Sequence, residues 1–200
     1  IEEIEKAGAQ YLHVDVMDGI FVPSISFGMP IVSSVRPRTK MFMDVHMMVT
    51  RPERYVEEFI RCGADGVTIH EEACDCVAET LCRIREAGAQ AGLAINPETP
   101  VEKLYPYLDK MDMALIMTVH PGFGGQKYID ACTEKIQTLR QVITDKGLDL
   151  KLQIDGGVNL DNLTMNLDAG ADVIVAGSAV FKGNITENTE AFLEKMQEKY

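Results

Sequence analysis

The sequence predicts an α/β chain folded as a (β/α)8 TIM barrel, and three observations carry that expectation. Short apolar runs rich in β-branched residues recur along the whole length, the pattern of parallel strands buried on both faces. Amphipathic stretches separate these runs, and such alternation builds βαβ units around a parallel sheet. A small glycine-centred motif ends the amphipathic stretches: Ala7-Gly8-Ala9-Gln10, Cys62-Gly63-Ala64-Asp65, Ala87-Gly88-Ala89-Gln90 and Ala169-Gly170-Ala171-Asp172, with Lys146-Gly147-Leu148-Asp149 as a looser copy. Glycine there suits the left-handed residue that terminates a helix. The alternative is an open doubly wound sheet. The regular unit length, and the lack of a dinucleotide glycine fingerprint after the first strand, favour the barrel.

The apolar runs are Tyr11–Val16, Met41–His46, Gly66–Ile69, Ala91–Ile95, Ala114–Val119, Leu150–Ile154 and Val173–Ala176. They make seven strands, and the chain opens on a helix-like segment at Ile1. A barrel of this class has eight strands, each followed by a helix. The expectation is therefore one barrel domain over residues 1–200, N-terminally incomplete, with its first strand missing from this sequence. Pro52–Arg61 reads as a helix with Tyr55, Val56, Phe59 and Ile60 on one face and Pro52 at its first position. Ile129–Thr144 and Glu190–Gln197 read likewise, and Asn159-Leu-Asp-Asn162 reads as a helix start.

Composition removes several function classes. A net charge of −12 argues against nucleic acid, which demands a basic footprint, and against an anionic membrane surface. It leaves room for a small phosphorylated ligand, because backbone N–H groups bind phosphate without side-chain charge. No stretch reaches the roughly 18–20 apolar residues of a membrane span, and no signal peptide is visible. Cys62, Cys74, Cys76, Cys82 and Cys132 match no disulfide framework and no zinc-ligand spacing. Free thiols in a reducing cytoplasm are expected, as is a homo-oligomer.

In a barrel, chemistry collects at the C-terminal ends of the strands. Here the first run carries His13 and Asp15, two apart and so on one face. The next carries Asp44 and His46, a third ends in His70-Glu71-Glu72, and the sixth ends at Asp155. His13, Asp15, His46 and Asp155 form a candidate site with two histidines and two carboxylates. Such ligands suit Zn, Fe, Mn or Co as a divalent ion without selecting among them. The plainer reading is that these groups merely hydrogen-bond one another. Three glycine-rich turns follow the last three strands: Pro121-Gly-Phe-Gly-Gly125-Gln, Asp155-Gly-Gly157 and Ala176-Gly-Ser178. Barrels often bind phosphate in such late loops, and these turns hold no basic residue, so a backbone cradle is expected. Met17, Met47, Met48 and Met117 read as core or pocket filler. Glu57-Glu58 and Glu71-Glu72 read as solvated faces or helix starts, and His120 receives no role.

Several segments together carry a family resemblance. Leu12-His-Val-Asp-Val-Met-Asp-Gly19, Phe21-Val-Pro23, Asp44-Val-His-Met-Met-Val49, Pro121-Gly-Phe-Gly-Gly-Gln126, Asp155-Gly-Gly-Val158 and Ala176-Gly-Ser-Ala-Val-Phe181 resemble the ribulose-phosphate 3-epimerase family, in order and over almost the whole chain. The resemblance implies a (β/α)8 barrel with one divalent metal ion, held by His13, Asp15, His46 and Asp155. It implies that Asp15 and Asp155 are the acid/base pair. It matches Gly122, Phe123, Gly124, Gly125, Gly156, Gly157, Gly177 and Ser178 to substrate and phosphate loops, and Met17, Met48 and Met117 to pocket-lining methionines; His46 would border the substrate as well. Two positions depart from the family pattern: Ile20 stands where histidine is usual, and His120 where Asn or Glu is common.

The activity implied is interconversion of D-ribulose 5-phosphate and D-xylulose 5-phosphate at C3, a step of the pentose phosphate pathway. The two departures keep a related ketose phosphate, such as D-allulose 6-phosphate, as the alternative substrate. Two other classes were weighed. A decarboxylase or aldolase-type synthase would carry an Asp-x-Lys-x-x-Asp strand motif, and Asp44-Val-His46 has no lysine. A non-catalytic phosphate-binding barrel has no use for four convergent ligands.

Overall fold

The computed structural model describes residues 1–199. Seven parallel strands pair in strict sequence order. They are β1 (Tyr11–Met17), β2 (Phe42–Met48), β3 (Gly66–His70), β4 (Gln90–Ile95), β5 (Met113–Met117), β6 (Lys151–Asp155) and β7 (Val173–Val175). Eight helices wrap them: α1 (Glu2–Lys6), α2 (Met29–Val35), α3 (Val56–Arg61), α4 (Val77–Glu86), α5 (Cys132–Asp145), α6 (Leu160–Ala169), α7 (Ser178–Phe181) and α8 (Ile185–Gln197). Between β4 and β5 a 3-10 stretch, Val101–Tyr107, stands in for the helix. The result is a nearly closed α/β barrel. The seven strands expected from the sequence are all present, and each begins within one residue of its apolar run.

The glycine motifs do what their chemistry requires. Gly8, Gly63, Gly88, Gly147 and Gly170 all adopt positive φ, between 61° and 108°. Each follows a helix and lets the chain reverse into the next strand. At Gly63 a Cβ would meet the Arg36 side chain at 2.4 Å, and at Gly170 that of Arg140 at 2.4 Å. These two ends therefore exclude a side chain for want of space as well as for φ. Helix α6 starts where the sequence placed it: Asn159 accepts hydrogen bonds from the Asp161 and Asn162 N–H groups, and Asn162 Oδ1 accepts one from the Asn159 N–H.

The main core lies between the outer face of the sheet and the helices. It runs from Val45, Val67, Leu93 and Ile116 on strands to Leu81, Ile84, Ile136 and Leu163 on helices. A smaller apolar cluster of Ala94, Leu115, Met117 and Val119 stands apart from it.

Three expectations need correction. Burial on both faces holds for β2 to β5, but every residue of β7 is only partly buried, and in β1 only Val16 is buried. These two strands are the ends of the hydrogen-bonded series, so each has an open edge. The helix expected over Pro52–Arg61 is a 3-10 turn at Pro52–Arg54 and then α3, broken at Tyr55 with φ −128°. Finally, α5 begins at Cys132, and α8 begins at Ile185 behind an Asn184 cap.

Candidate active site

Register explains how distant residues meet. β1 and β2 pair His13 with Asp44 and Asp15 with His46. β6 closes on the site from the far side of the curved sheet, with Asp155 level with Met117 on β5 and Val175 on β7. One ligand atom from each of His13, Asp15, His46 and Asp155 lies within 4.8 Å of every other. His46 Nδ1 is 2.9 Å from Asp15 Oδ1 and 3.7 Å from Asp155 Oδ2. His13 Nε2 is 3.2 Å from Asp15 Oδ1 and 3.8 Å from Asp155 Oδ2.

A residue that sequence reasoning left outside the site proves central to it. Asp44 is fully buried, and its Oδ2 accepts from His13 Nδ1 at 2.8 Å and from Gln153 Nε2 at 2.7 Å. That bond settles the His13 ring: Nδ1 carries a proton toward Asp44, so Nε2 is the atom offered to the cluster. Asp44 precedes His46 by two on a strand, and that spacing was the available signal. Gln153, two before Asp155, was equally legible and equally passed over.

The charges are unevenly held. Burial works against ionisation of Asp15, yet His13 and His46 outweigh it and keep the carboxyl far below the usual range. Burial pushes Asp155 up to about 7, with Asp15 and Asp44 adding to the rise and His13 partly offsetting it. Burial also opposes a charged His13, but Asp44 and Asp15 overcome it and hold the imidazole well above its ordinary value. His46 falls to about 4, chiefly through burial. The site thus gathers two imidazoles and two carboxylates around one point, with His46 fully buried and Asp15 still open to solvent. That donor set fits a divalent cation.

Above the cluster lies a cavity of about 130 Å3. Asp15 and Asp155 form its floor with Met17, Met48 and Met117, and the three glycine-rich turns form its wall through residues 121–126, 156–158 and 177–178. Every expected substrate residue except His46 therefore lines one space. A larger groove, about 750 Å3, runs along the open edges of β1 and β7 and shares Asp15, Val175 and Gly177 with the cavity. Both carboxylates and all three turns converge on the smaller space.

The turns are built for close approach. At Gly157, φ is +68° and a Cβ would sit 2.3 Å from the Tyr128 N. Thr118 donates its hydroxyl to the Gly156 carbonyl at 2.6 Å. Because the peptide plane sets C=O and N–H opposite one another, this bond aims the Gly157 N–H away from Thr118. His120, to which no role was assigned, is exposed and pairs with Glu98 at 3.0 Å. Glu71 and Glu72 open a short 3-10 turn, Glu71–Ala73, as a helix start, and they also make specific contacts: Glu71 meets Lys103, and Glu72 meets His70, Asn96 and Thr99.

Comparison with known proteins agrees with this geometry. The model of the ribulose-phosphate 3 epimerase family matches residues 1–181. Ribulose-phosphate 3-epimerase of Synechocystis is 49% identical over 183 residues, covering 90% of this chain and 80% of that protein. That of Bacillus subtilis is 45% identical over 182 residues, covering 90% and 84%. Among solved structures, 3-keto-L-gulonate-6-phosphate decarboxylase from Vibrio cholerae superposes with a TM-score of 0.73 at 14% identity, covering 100% of this chain and 90% of that one. Phosphoribosyl anthranilate isomerase from Thermus thermophilus gives 0.69 at 15%, covering 100% and 93%. At such identities the solved structures speak for the barrel alone. The sequence relatives and the family match over residues 1–181 speak for more: the chain belongs to the ribulose-phosphate 3-epimerase family.

Proposed function

We propose that this chain interconverts D-ribulose 5-phosphate and D-xylulose 5-phosphate by removing the C3 proton on one face and returning a proton on the other. The carrying observation is that Asp15 and Asp155 share one cavity floor while their proton affinities diverge, one held ionised and the other pushed up to about 7. Inversion needs two such groups, since a single base would return the proton to the face it came from. In the metal-free site one carboxyl is thus disposed as a base and the other as an acid.

His13, Asp15, His46 and Asp155 would hold one divalent ion, drawn from Zn, Fe, Mn or Co. Bound there, it supplies Lewis acidity for the enediolate charge that develops on the C2 and C3 oxygens. Asp44 orients His13 by its buried hydrogen bond. Met17, Met48 and Met117 give the sugar an apolar, adaptable floor. The phosphate is assigned to backbone N–H groups near Gly157, Gly177 and Ser178, in keeping with the acidic chain. Five free thiols support a reducing cytoplasm, and no helix among the described residues is long and apolar enough to cross a membrane. Assembly into a homo-oligomer is read with it, and light scattering would measure it.

The test is a panel of ketose phosphates in D2O, followed by proton NMR, with metal content measured on the same sample. Xylulose 5-phosphate carrying deuterium at C3 is the expected product from ribulose 5-phosphate. A metal-loaded chain that leaves both pentulose phosphates untouched and turns over a hexulose phosphate would refute the substrate assignment.

A further inference from the structure

Behind the His46 ring runs a chain of hydrogen bonds, buried at its two histidines and reaching the surface at Glu72, that the four-residue cluster does not use. His46 Nε2 lies 2.8 Å from His70 Nε2, and the two rings stack at 24° with centroids 5.0 Å apart. His70 Nδ1 lies 3.2 Å from Glu72 Oε2. The other oxygen of Glu72 accepts from the Asn96 N–H at 2.7 Å and from the Thr99 hydroxyl. Both histidines are fully buried, and the Phe21 ring lies against His70 at 4.9 Å.

Two imidazole nitrogens at this distance share one proton, so one must donate and the other accept. His46 presents Nδ1 to His13, Asp15 and Asp155. To ligate there it needs a lone pair on Nδ1, which puts its proton on Nε2. His70 must then accept at Nε2 and carry its own proton on Nδ1, facing the Glu72 carboxylate. Each donor in this arrangement meets an acceptor, and a cation in the cluster would take up the Nδ1 lone pair that otherwise faces the Asp15 carboxylate at 2.9 Å. In the reverse arrangement His46 would spend its Nδ1 proton on Asp15 and accept at Nε2 from His70. The Nδ1 lone pair of the buried His70 ring would then face the Glu72 carboxylate, acceptor against acceptor, which is costly.

We propose that His70 and Glu72 are positioning residues: they fix His46 in the tautomer whose Nδ1 lone pair faces the cluster, and thereby set the affinity of the cluster for a divalent cation. The proposal rests on the metal-centre reading above. It differs from a structural role in one respect. Buried hydrogen bonds of any kind would stabilise the fold, whereas this relay acts on cation binding even in variants that fold normally.

The test uses Co2+ as the probe, with chelator competition on the full chain for the wild type, Glu72→Gln, His70→Leu and His70→Gln. Wild type should take one equivalent of Co2+. Outer partners of a ligating histidine are worth about 10- to 100-fold in metal affinity, and a loss of that order is expected for Glu72→Gln and His70→Leu. The amide oxygen of His70→Gln can accept from His46 Nε2–H, so this variant should recover most of the affinity. In the Zn2+-loaded proteins, long-range proton–nitrogen NMR should show His46 protonated at Nε2 and His70 protonated at Nδ1 in the wild type, with the His70 pattern lost in Glu72→Gln. If wild type fails to bind Co2+, the metal-centre reading falls, and the relay with it. If wild type binds while folded Glu72→Gln and both His70 variants match it within about twofold, against the 10- to 100-fold scale, the relay is refuted and the metal centre stands.

Discussion

Asp15 and Asp155 are chemically the same side chain, and their surroundings drive them in opposite directions. Asp15 meets two imidazoles, whereas Asp155 approaches the same pair only at 3.7–3.8 Å and is left with its desolvation. Glu72 lends itself to a direct pH test. Burial opposes its ionisation, but His70, the Asn96 N–H and Thr99 bring its pKa down to about 2 from 4.5. A depressed carboxyl contributes stability that is complete above its unfolded value and is lost as pH falls from about 5 toward 2. The difference in unfolding free energy between wild type and Glu72→Gln, on the order of 2–3 kcal/mol at neutral pH, should shrink over that window in urea titrations; a gap that stays constant would contradict the assignment. Two glycines offer a contrast. Gly157 has positive φ and no room for a Cβ, so Gly157→Ala should cost roughly 1–3 kcal/mol of stability. Gly177 has φ −90° and no atom near its ideal Cβ position. Gly177→Leu should therefore fold within about 0.5 kcal/mol of wild type and show its effect in steady-state kinetics, as a raised KM. At this scale the sequence was readable where the residue types are unusual, as with paired His and Asp at strand ends. It was silent on Glu72, since an acidic residue in a Glu-Glu pair is ordinarily solvated and only the fold brings Asn96 and Thr99 to it.

Helices and strands were more legible than single partners, for local reasons. The glycine motifs report a backbone conformation that few other residues tolerate, and all five sites realise it. The Asn159–Asn162 capping box likewise uses only neighbours in sequence. Replacing Asn159 by Ala should remove about 1 kcal/mol, which in a chain of this size lowers Tm by about 2–4 °C in calorimetry. Because α6 follows Gly156 and Gly157 directly, the same change should also loosen the phosphate turn. The interruption at Tyr55 was not readable. The apolar face of Pro52–Arg61 is compatible with one helix, and what divides it is the left-handed Arg51 entry with a 3-10 turn behind it. Strand burial misled at the edges for the opposite reason: β1 and β7 have the apolar composition of interior strands, but each lacks a neighbour on one side.

The molecule as a whole is a ring of helices that closes around a ring of strands that does not. α1 packs against α8, while β7 and β1 face one another across a groove of about 750 Å3. The groove is bridged at one end by Lys151 Nζ and the Tyr11 hydroxyl, 2.6 Å apart. The place of the eighth strand expected from the sequence is this gap. A chain extended ahead of Ile1 by a strand-length segment that pairs there should unfold at higher urea, and an unchanged midpoint would argue that the gap takes no strand. Curvature also creates the active site. Asp15 on β1 and Asp155 on β6 lie 140 positions apart in sequence, and only the near closure of the sheet sets them across one cavity. That juxtaposition is the central claim, and exchange of the C3 proton in single-carboxylate variants tests it most directly. Asp15→Asn and Asp155→Asn would each be loaded with Co2+, checked for metal content, and incubated with each pentulose phosphate in D2O. With metal retained, neither should give net epimerisation. One should wash deuterium into C3 of ribulose 5-phosphate and the other into C3 of xylulose 5-phosphate. A metal-replete Asp155→Asn that epimerises at near the wild-type rate would contradict the account.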